Sequence, residues 1–224
     1  MQEQSQDILE RISTKLQNYQ PSDDTVQLVR ETPIVLLVGI SGAGKDTIKH
    51  RLLETGQYHH IVSHTTRPPR ENGGVLEIDG VDYHFINLDT AEKLLNNGGY
   101  VEAKMYSGNV YGTSAAEIKA AHDEEKIAIT DVEVQGVAEY KAISANVIAI
   151  FILPPSYEAW QERLKARYSE GKIDPADMEK RMHTAVRELQ EALKVPYYHF
   201  VMNDNLDEAV DVVDKIAHNQ DIFN

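Results

Sequence analysis

The segment 34–47, IVLLVGISGAGKDT, constrains the fold of this chain more than any other. Its first five residues, 34–38, are all apolar, which is typical of a strand buried on both faces of a parallel sheet. Residues 39–45 match the spacing G-x-x-x-x-G-K, in which glycines let several backbone N–H groups converge on an anion. Residues 46–53 have a helical pattern, and the positive end of that helix would face the anion. The segment therefore predicts a strand, a phosphate-binding loop and a helix, in that order.

One position of this loop departs from the motif. Asp46 stands where the motif has Ser or Thr, whose hydroxyl binds Mg²⁺, and Thr47 follows it. A carboxylate beside a triphosphate is repulsive unless a metal ion or the helix dipole offsets its charge, and both are available in the first turn of a helix. The residues expected to bind a nucleoside triphosphate are Gly39, Ser41, Gly42, Ala43, Gly44, Lys45, Asp46 and Thr47.

Composition and charge limit the class of protein. The 224 residues include 22 basic and 36 acidic side chains, a formal charge of −14, which argues against a nucleic-acid or anionic-membrane partner. The chain has no cysteine, so disulfides and thiolate metal sites are excluded. No apolar run approaches the length of a membrane span, and the first ten residues lack the features of a signal peptide. We expect a cytoplasmic, soluble α/β protein.

A second anion-binding segment is predicted at residues 63–70, SHTTRPPR. Its two prolines hold the backbone extended, and at three residues per polyproline turn Arg67 and Arg70 come round to the same side. Two planar guanidiniums that face one target suit a phosphate group. The alternative is a solvated basic turn, which is disfavoured because two like charges held side by side repel each other.

An amphipathic helix is predicted at residues 5–18, before a proline-containing linker at 20–24. We expect this helix to pack on its own domain rather than to bind a partner, within an extension that spans residues 1–31. Its apolar face is formed by Ile8, Leu9, Ile12 and Leu16.

Residues 61–113 are predicted to form a β-rich lobe, inserted between elements of the parallel sheet. Turn-forming residues separate its short strands, and polar aromatic side chains are frequent in it. The expected elements are a strand at 60–63, a hairpin at 71–85 carrying Tyr83, a helix at 89–95 capped by Asp89, a strand at 100–103 carrying Glu102, and a turn at 107–114 carrying Tyr111 and Thr113.

The pattern of the parallel sheet resumes after this lobe. A helix at 114–122 precedes a buried strand at 126–130, which ends at Asp131. A carboxylate at the C-terminal end of a strand beside a phosphate-binding loop is well placed to hold Mg²⁺. Glu133 lies two residues further on, so alternation along the strand would point both carboxylates to the same side.

Three arginines are singled out in the last third of the chain. Arg163 and Arg167 are i, i+4 neighbours on one predicted helix, and Arg181 lies on the next, after a stretch at 168–174 that predicts a mobile flap. The remaining elements are a strand at 147–153, a helix at 157–167, and a final strand and helix, the last capped by Asn205.

In chain order, these segments resemble guanylate kinase: GISGAGKDT, VSHTTRPPR, DGVDYHF, YVEA, SGNVYGT, DVEVQGV, IFILPPSYEAWQERLKAR and NDNLDEA. SHTTRPPR followed by DGVDYHF is more specific than the phosphate-binding loop alone. The resemblance implies a P-loop kinase core with a parallel sheet flanked by helices, a β-rich GMP-binding lobe and a small helical lid. The boundaries that follow are an extension at 1–31 and a kinase domain at 32–224, with a core at 32–60, 114–162 and 182–224, a GMP-binding lobe at 61–113 and a lid at 163–181.

The resemblance also implies ATP-dependent phosphorylation of GMP and dGMP, assisted by Mg²⁺. GMP and ATP are then the expected partners, and a homo-oligomer is left open. By resemblance the GMP phosphate is held by Arg67, Arg70, Tyr83 and Tyr111, and guanine is recognised by Ser63, Glu102, Thr113 and Glu133. The expected catalytic residues are Lys45, Arg163, Arg167 and Arg181, with Asn203 near the adenine of ATP and the metal at Asp46, Thr47 and Asp131.

Three departures from the family pattern and two alternative functions accompany this interpretation. Asp46 replaces a hydroxyl residue, Glu133 replaces the Asp of many members, and the loop at 71–79 is a few residues long. One alternative is a guanylate-kinase-like module that binds a phosphopeptide without catalysis. The other is a P-loop kinase that acts on a phosphorylated sugar, some of which carry a Lys-Asp pair in the loop.

Overall fold

The computed structural model describes residues 2–72, 74–166 and 175–219, and the chain divides into two compact units. The first unit comprises Met1–Pro33, His60–Ala128 and Ala142–Ala145, and the second comprises Ile34–His59, Ile129–Lys141 and Asn146–Asn224. The helices are α1 (Gln2–Leu16), α2 (Asp23–Glu31), α3 (Lys45–Glu54), α4 (Leu88–Asn96), α5 (Ala115–Asp123), α6 (Val134–Ile143), α7 (Tyr157–Lys165), α8 (Pro175–Leu193) and α9 (Leu206–Ala217). The strands are β1 (Ile34–Val38), β2 (Tyr58–His60), β3 (His64–Thr65), β4 (Glu71–Asn72), β5 (Val75–Leu76), β6 (His84–Phe85), β7 (Tyr100–Tyr106), β8 (Asn109–Ser114), β9 (Ile127–Asp131), β10 (Ile148–Leu153) and β11 (Tyr198–Met202).

The second unit is built on a five-stranded sheet of order β11-β10-β1-β9-β2. Every residue of β1 is buried, as its continuous apolar run predicts. β10 runs parallel to both β1 and β11, with Val35 opposite Ile148 and Ala149 opposite Tyr198. Helix α3 packs against β1 and α9, and α9 packs against β11. A parallel sheet flanked by helices is therefore confirmed, and the end of β1 delivers the chain directly into the glycine-rich loop.

The first unit contains a four-stranded sheet of order β6-β3-β8-β7. One of its faces packs on α1 and α4, as the predicted apolar face of α1 requires. An ion pair on the surface of these helices joins Arg11 Nε to Glu92 Oε1 at 2.6 Å. The buried side chains of this core are Ile8, Ile12, Ala91, Leu95, Tyr100 and Val110.

Most of the segment 107–114, predicted to be a turn, is strand β8, which begins at Asn109. Only Ser107 and Gly108, with φ of 48° and 76°, make the reversal between β7 and β8. Gly112 lies inside β8, and glycine is needed there because a Cβ would come within 2.6 Å of the carbonyl oxygen of Glu102 and 2.9 Å of the Tyr100 ring. A glycine that indicates a turn in the sequence is thus required by close packing inside a strand.

The segment 60–63 also differs from its prediction. The strand in this region is β2, which ends at His60, and residues 61–63 belong to no strand. The backbone N–H of Val62 donates to the side chain of Glu117 instead of a neighbouring strand. At Val62 a side chain distant in sequence therefore takes the place of a neighbouring strand.

Two helix starts differ from the sequence prediction as well. Residues 23–31 form α2, where only a linker was expected, and Ser22 caps it by accepting a hydrogen bond from Thr25 N at 3.2 Å. Helix α4 is capped by Asn87, whose Oδ1 accepts from Thr90 N at 2.8 Å, so the predicted cap at Asp89 is wrong. The cap of α9 by Asn205 is confirmed.

None of the helices in the described ranges is long and apolar enough to cross a membrane.

Candidate functional site

The glycine-rich loop between β1 and α3 has the backbone that its sequence predicts. Gly39, Gly42 and Gly44 all have positive φ, at 132°, 90° and 99°. A side chain at Gly39 would collide with the backbone of Ile152, and one at Gly44 would collide with the amide of Asn203. The loop therefore requires glycine both for its dihedral angles and for the close approach of its neighbours.

Side chains of the second unit hold this loop from outside. Trp160 Nε1 donates to the carbonyl of Ser41 at 2.8 Å, and the buried amide of Asn203 donates from Nδ2 to the carbonyl of Ala43 at 2.8 Å. The Lys45 ammonium donates to the carbonyl of Gly39. Asn203 thus supports the loop, and its predicted contact with adenine stays a prediction.

Two of the predicted arginines lie beside the same loop. Arg163 donates from Nη2 to the carbonyl of Asn203 at 2.9 Å and from Nη1 to that of Ala43 at 3.4 Å. Arg181, on α8, donates from Nη1 to the hydroxyl of Ser41 at 3.4 Å. Arg167 lies outside the described residues, as does the predicted flap at 168–174.

The carboxylate of Asp131, predicted to hold metal, binds the ammonium of Lys49. Lys49 is 8% exposed, and it lies one turn after Lys45 on α3. Burial tends to raise the pKa of Asp131, but the charge and the hydrogen bond of Lys49 outweigh it, so that the net pKa lies below its usual value. Sequence reasoning missed Lys49, although its i+4 spacing from Lys45 puts both on one face of the predicted helix.

Glu133 does not share a strand with Asp131, so the predicted alternation is wrong. β9 ends at Asp131, and α6 begins at Val134. Glu133 instead lies within electrostatic reach of Glu188 on α8. Burial raises the pKa of Glu188, the charge of Lys45 lowers it, and the charge of Glu133 raises it further. Glu188 was not singled out from the sequence.

Asp46 and Thr47 are exposed in the first turn of α3, next to the loop. No group of three or more histidine, aspartate or glutamate side chains in the described part of the chain is arranged to hold a metal ion by itself.

Three residues predicted to recognise guanine form one row, with Glu102 and Thr113 in the four-stranded sheet and Ser63 directly before β3. Glu102 is directly opposite Thr113, and His64 is opposite Gly112, so continuing that register by one residue sets Ser63 level with Thr113. Thr113 Oγ1 donates to Glu102 Oε1 at 3.0 Å. Glu102 is 9% exposed, and burial raises the pKa of its carboxyl group.

The row lies on the face of the sheet turned away from α1 and α4. Val110 of β8 belongs to the core beneath these helices, and alternation along the strand sends Tyr111 and Thr113 to the face opposite Val110. The sheet therefore has one face for packing and one for polar groups.

The predicted phosphate-binding side chains lie at the end of the same lobe. The guanidinium carbon of Arg67 is 5.3 Å from the centroid of the Tyr83 ring, and Tyr111 packs edge-on against Tyr83 with 6.1 Å between centroids. Arg67 is 6% exposed, and its Nε is buried with no hydrogen-bond partner among the described residues. Arg70 is exposed. Arg67, Tyr83 and Tyr111 are thus brought together.

Glu77, which the sequence did not single out, binds both arginines of this segment. Its carboxylate accepts from Arg67 Nη1 at 2.7 Å and from Nη2 at 3.0 Å. Oε2 also accepts from the backbone N–H of Arg70 at 2.7 Å. Within the loop at 71–79, β4 and β5 form a small hairpin that precedes Glu77.

Comparisons with known proteins identify the family of this chain. A family model described as guanylate kinase matches residues 30–220. The chain is 36% identical over 177 residues to a guanylate kinase of Thermus thermophilus, covering 79% of this chain and 76% of that protein. It is 35% identical over 178 residues to a guanylate kinase of Homo sapiens, covering 78% and 87%. A crystal structure of guanylate kinase from Anaplasma phagocytophilum has the same fold, with a TM-score of 0.59 at 24% identity over 85% of this chain and 86% of that chain. The chain therefore belongs to the guanylate kinase family.

Proposed function

We propose that this protein transfers the terminal phosphate of ATP to GMP or dGMP. The observation that carries the proposal is the buried carboxylate of Glu102 opposite Thr113 in the four-stranded sheet, with Ser63 directly before β3 in the same row. A carboxylate buried at this level is costly unless a ligand or a neighbour compensates it. Thr113 donates from its hydroxyl and its backbone N–H, and a carboxylate with about four lone-pair sites keeps acceptor capacity for a base.

Guanine matches that remaining capacity. Its N1–H and exocyclic amine lie side by side, so one ionised carboxylate such as Glu102 accepts from both. Adenine presents an acceptor at N1 and would leave the buried carboxylate unpaired. Sites that use hydrogen bonds in this way discriminate by on the order of 10⁴. We infer that Glu102 selects GMP over AMP, with Ser63, Thr113 and Glu133 as further guanine contacts.

The phosphate of GMP is assigned to Arg67, Arg70, Tyr83 and Tyr111. The guanidinium of Arg67 lies beside Tyr83 and Tyr111, and its planar set of N–H donors suits a phosphate oxygen. Glu77 occupies the two terminal nitrogens of the same guanidinium and holds it in place. The phosphate would therefore approach an arginine whose orientation is already fixed, which lowers the entropy lost on binding.

The triphosphate of ATP is assigned to the glycine-rich loop. Its positive-φ glycines and the N-terminus of α3 present backbone N–H groups, and Lys45 can exchange the carbonyl of Gly39 for phosphate oxygens. Asn203 is assigned to the adenine end. Asp46 and Thr47 supply exposed oxygen donors in the first turn, which fit Mg²⁺, an ion that commonly takes one or two carboxylates plus substrate phosphates. Such an ion neutralises charge on the transferring phosphate, and Asp131, held by Lys49, would contribute through water.

Phosphoryl transfer needs alignment of the two substrates and neutralisation of spreading charge, rather than a strong protein base. Arg181, beside Ser41, and Arg163, beside Ala43, are assigned to the transferring phosphate, together with Arg167. Lys45 completes the positive lining of the loop. Each arginine of this kind can contribute about 10³-fold or more in rate.

The decisive experiment measures ADP formation from ATP with GMP, dGMP, AMP and ribose phosphates as acceptors. We expect turnover with GMP and dGMP, and a loss of roughly 10³-fold in kcat/KM for GMP in Glu102→Gln, because the amide keeps only one acceptor. No turnover with any acceptor would favour a phosphopeptide-binding module, and preference for a sugar phosphate would favour the other alternative. A Glu102→Gln variant with unchanged GMP turnover would make the guanine assignment wrong. The cytoplasmic location stays a prediction.

A further inference from the structure

A carboxylate outside the predicted site holds the segment that carries Ser63. Glu117 lies in the first turn of α5, and its Oε2 accepts from the backbone N–H of Val62 at 2.8 Å. Its Oε1 lies 2.9 Å from Nε2 of His84. The backbone N–H of His84 in turn donates to the carbonyl of Ser63 at 2.9 Å. A connected set of hydrogen bonds thus fixes the backbone on both sides of Ser63.

The bond at Val62 takes the place of strand pairing. Residues 61–63 lie between β2 and β3 and belong to no strand. The backbone N–H of His84 in β6 holds the carbonyl of Ser63, whereas the N–H of Val62, on its other side, is held by Glu117 rather than by a strand. A bond to an ionised carboxylate is stronger than one between neutral groups. Glu117 is also well shielded, since its side chain is only 15% exposed. The placement of Ser63 therefore depends on a side chain of α5.

The histidine that completes the set lies on the packing side of the sheet. His84 is opposite His64 in the parallel pair β3–β6, and their ring centroids are 4.8 Å apart. The ring of His64 also meets the buried Tyr100 edge-on at 6.2 Å. Because side chains alternate along a strand, these rings point away from the row that contains Ser63. Glu117 and His84 consequently act from behind the proposed guanine site, without access to the base.

We propose that Glu117, with His84, is a positioning residue for guanine recognition by Ser63. The inference rests on the proposed function, since it takes GMP as the acceptor substrate. Ser63 has to lie level with Thr113 and Glu102 for all three to reach one base, and the Glu117 bonds hold it at that level. Loosening them should weaken GMP binding and leave the handling of ATP intact.

The test measures the Kd for GMP by calorimetry without ATP, together with steady-state kinetics. We expect Glu117→Ala to weaken GMP binding by about tenfold, because a hydrogen bond to a charged group is lost. The KM for GMP should rise in parallel, while kcat at saturating GMP and the KM for ATP stay within about twofold of wild type. Glu117→Gln keeps an oxygen that can accept from Val62 and should recover most of the affinity. Lys119→Ala is the matched control on the same helix, because it removes only an exposed pair with Asp123.

A double-mutant cycle with Ser63→Ala separates positioning from general loosening of the fold. If Glu117 acts through Ser63, Glu117→Ala should add less than about twofold to the Kd of Ser63→Ala. A full tenfold effect in that background, or an unchanged Kd in Glu117→Ala alone, would overturn the proposal.

Should Glu117→Ala fail to fold, His84→Ala carries the test, because it keeps the backbone donor to Ser63. It should weaken GMP binding by about two- to fourfold, and an unchanged Kd would count against positioning. Wild-type protein that neither binds nor phosphorylates GMP would overturn the proposed function. If wild type binds and phosphorylates GMP but Glu117→Ala binds it equally well, only the positioning role is overturned.

Discussion

The carboxylate of Glu77 binds both terminal nitrogens of the Arg67 guanidinium, at 2.7 Å and 3.0 Å. The two side chains are only 12% and 7% exposed, so this pair is well shielded from water. Glu77 also accepts from the backbone N–H of Arg70, which closes the 71–79 loop back onto the arginine segment. Arg67 is thus held in one orientation before any phosphate binds.

Replacing Glu77 by Gln should lower the melting temperature at neutral pH. The hydrogen bond from Arg67 and the one from the Arg70 backbone hold the pKa of Glu77 below its usual value. A depressed pKa means that the stabilisation is present above the pKa of the unfolded chain and is lost as pH falls through the folded pKa. Wild type and variant should therefore converge at acidic pH in thermal melts. Glu179→Gln, at an exposed pair with His183, is the control, and a gap that persists at low pH would contradict this account.

The core of the fold is predictable because its signals are local. A run of five apolar residues that enters a glycine-rich turn requires a buried strand and a tight loop, and both β1 and the positive-φ glycines follow. The row of Ser63, Thr113 and Glu102 is less local. Its residues can be named from the family resemblance, but only the strand register shows that they are level.

The supporting partners could not be predicted, because each depends on how the folded chain returns on itself: across a loop for Glu77, and between distant segments for Lys49 and Glu117. Glu77, Lys49 and Glu117 are ordinary charged residues in the sequence. Their roles arise only when folding brings a guanidinium, a carboxylate or an unpaired backbone N–H beside them. The same reason applies to residues 61–63, where the side chain of Glu117 accepts the N–H bond of Val62 that a neighbouring strand would have accepted.

The buried carboxylate of Glu102 should make GMP use depend on pH. Burial raises its pKa above the usual value, against smaller opposing effects of Lys104 and Thr113. Only the ionised form accepts both guanine donors, so kcat/KM for GMP should fall as pH drops through that raised pKa. The phosphate of GMP itself titrates near pH ~6, as phosphate monoesters do. The diagnostic is therefore the difference between the pH profiles of wild type and Glu102→Gln. Parallel profiles would show that Glu102 does not titrate in the working range.

Lys49→Met should destabilise the second unit by leaving Asp131 without its partner. Breaking a buried ion pair costs about 3–5 kcal/mol, and the loss here should be smaller because the side chain of Asp131 is still 40% exposed. Urea denaturation would measure it. The double variant Lys49→Met/Asp131→Asn should regain much of the loss, because it removes both charges. Lys215→Met, at an exposed i, i+4 pair with Asp211, should change stability by less than about 0.5 kcal/mol. A double variant no more stable than Lys49→Met would contradict the role of the pair.

Arg181→Ala should lower kcat by about 10³-fold and leave the KM for GMP and ATP within about threefold of wild type. The guanidinium is anchored on α8 by Asp177, with Nε at 3.0 Å from Oδ2, and its Nη1 lies 3.4 Å from the hydroxyl of Ser41 in the loop. Under the proposed function, a charge held there would stabilise the transferring phosphate more in the transition state than in the ground state, so its removal should lower kcat rather than weaken binding.

Arg181→Lys should fall between wild type and Arg181→Ala, since it keeps the charge but loses the planar fork of donors. Arg187→Ala provides the matched control, because Arg187 is exposed on the same helix. Its kcat should stay within about twofold of wild type. If Arg181→Ala instead raised the KM for GMP and left kcat unchanged, Arg181 would be assigned to binding of the acceptor. The reason is that an equal loss of affinity for the ground state and the transition state does not change kcat.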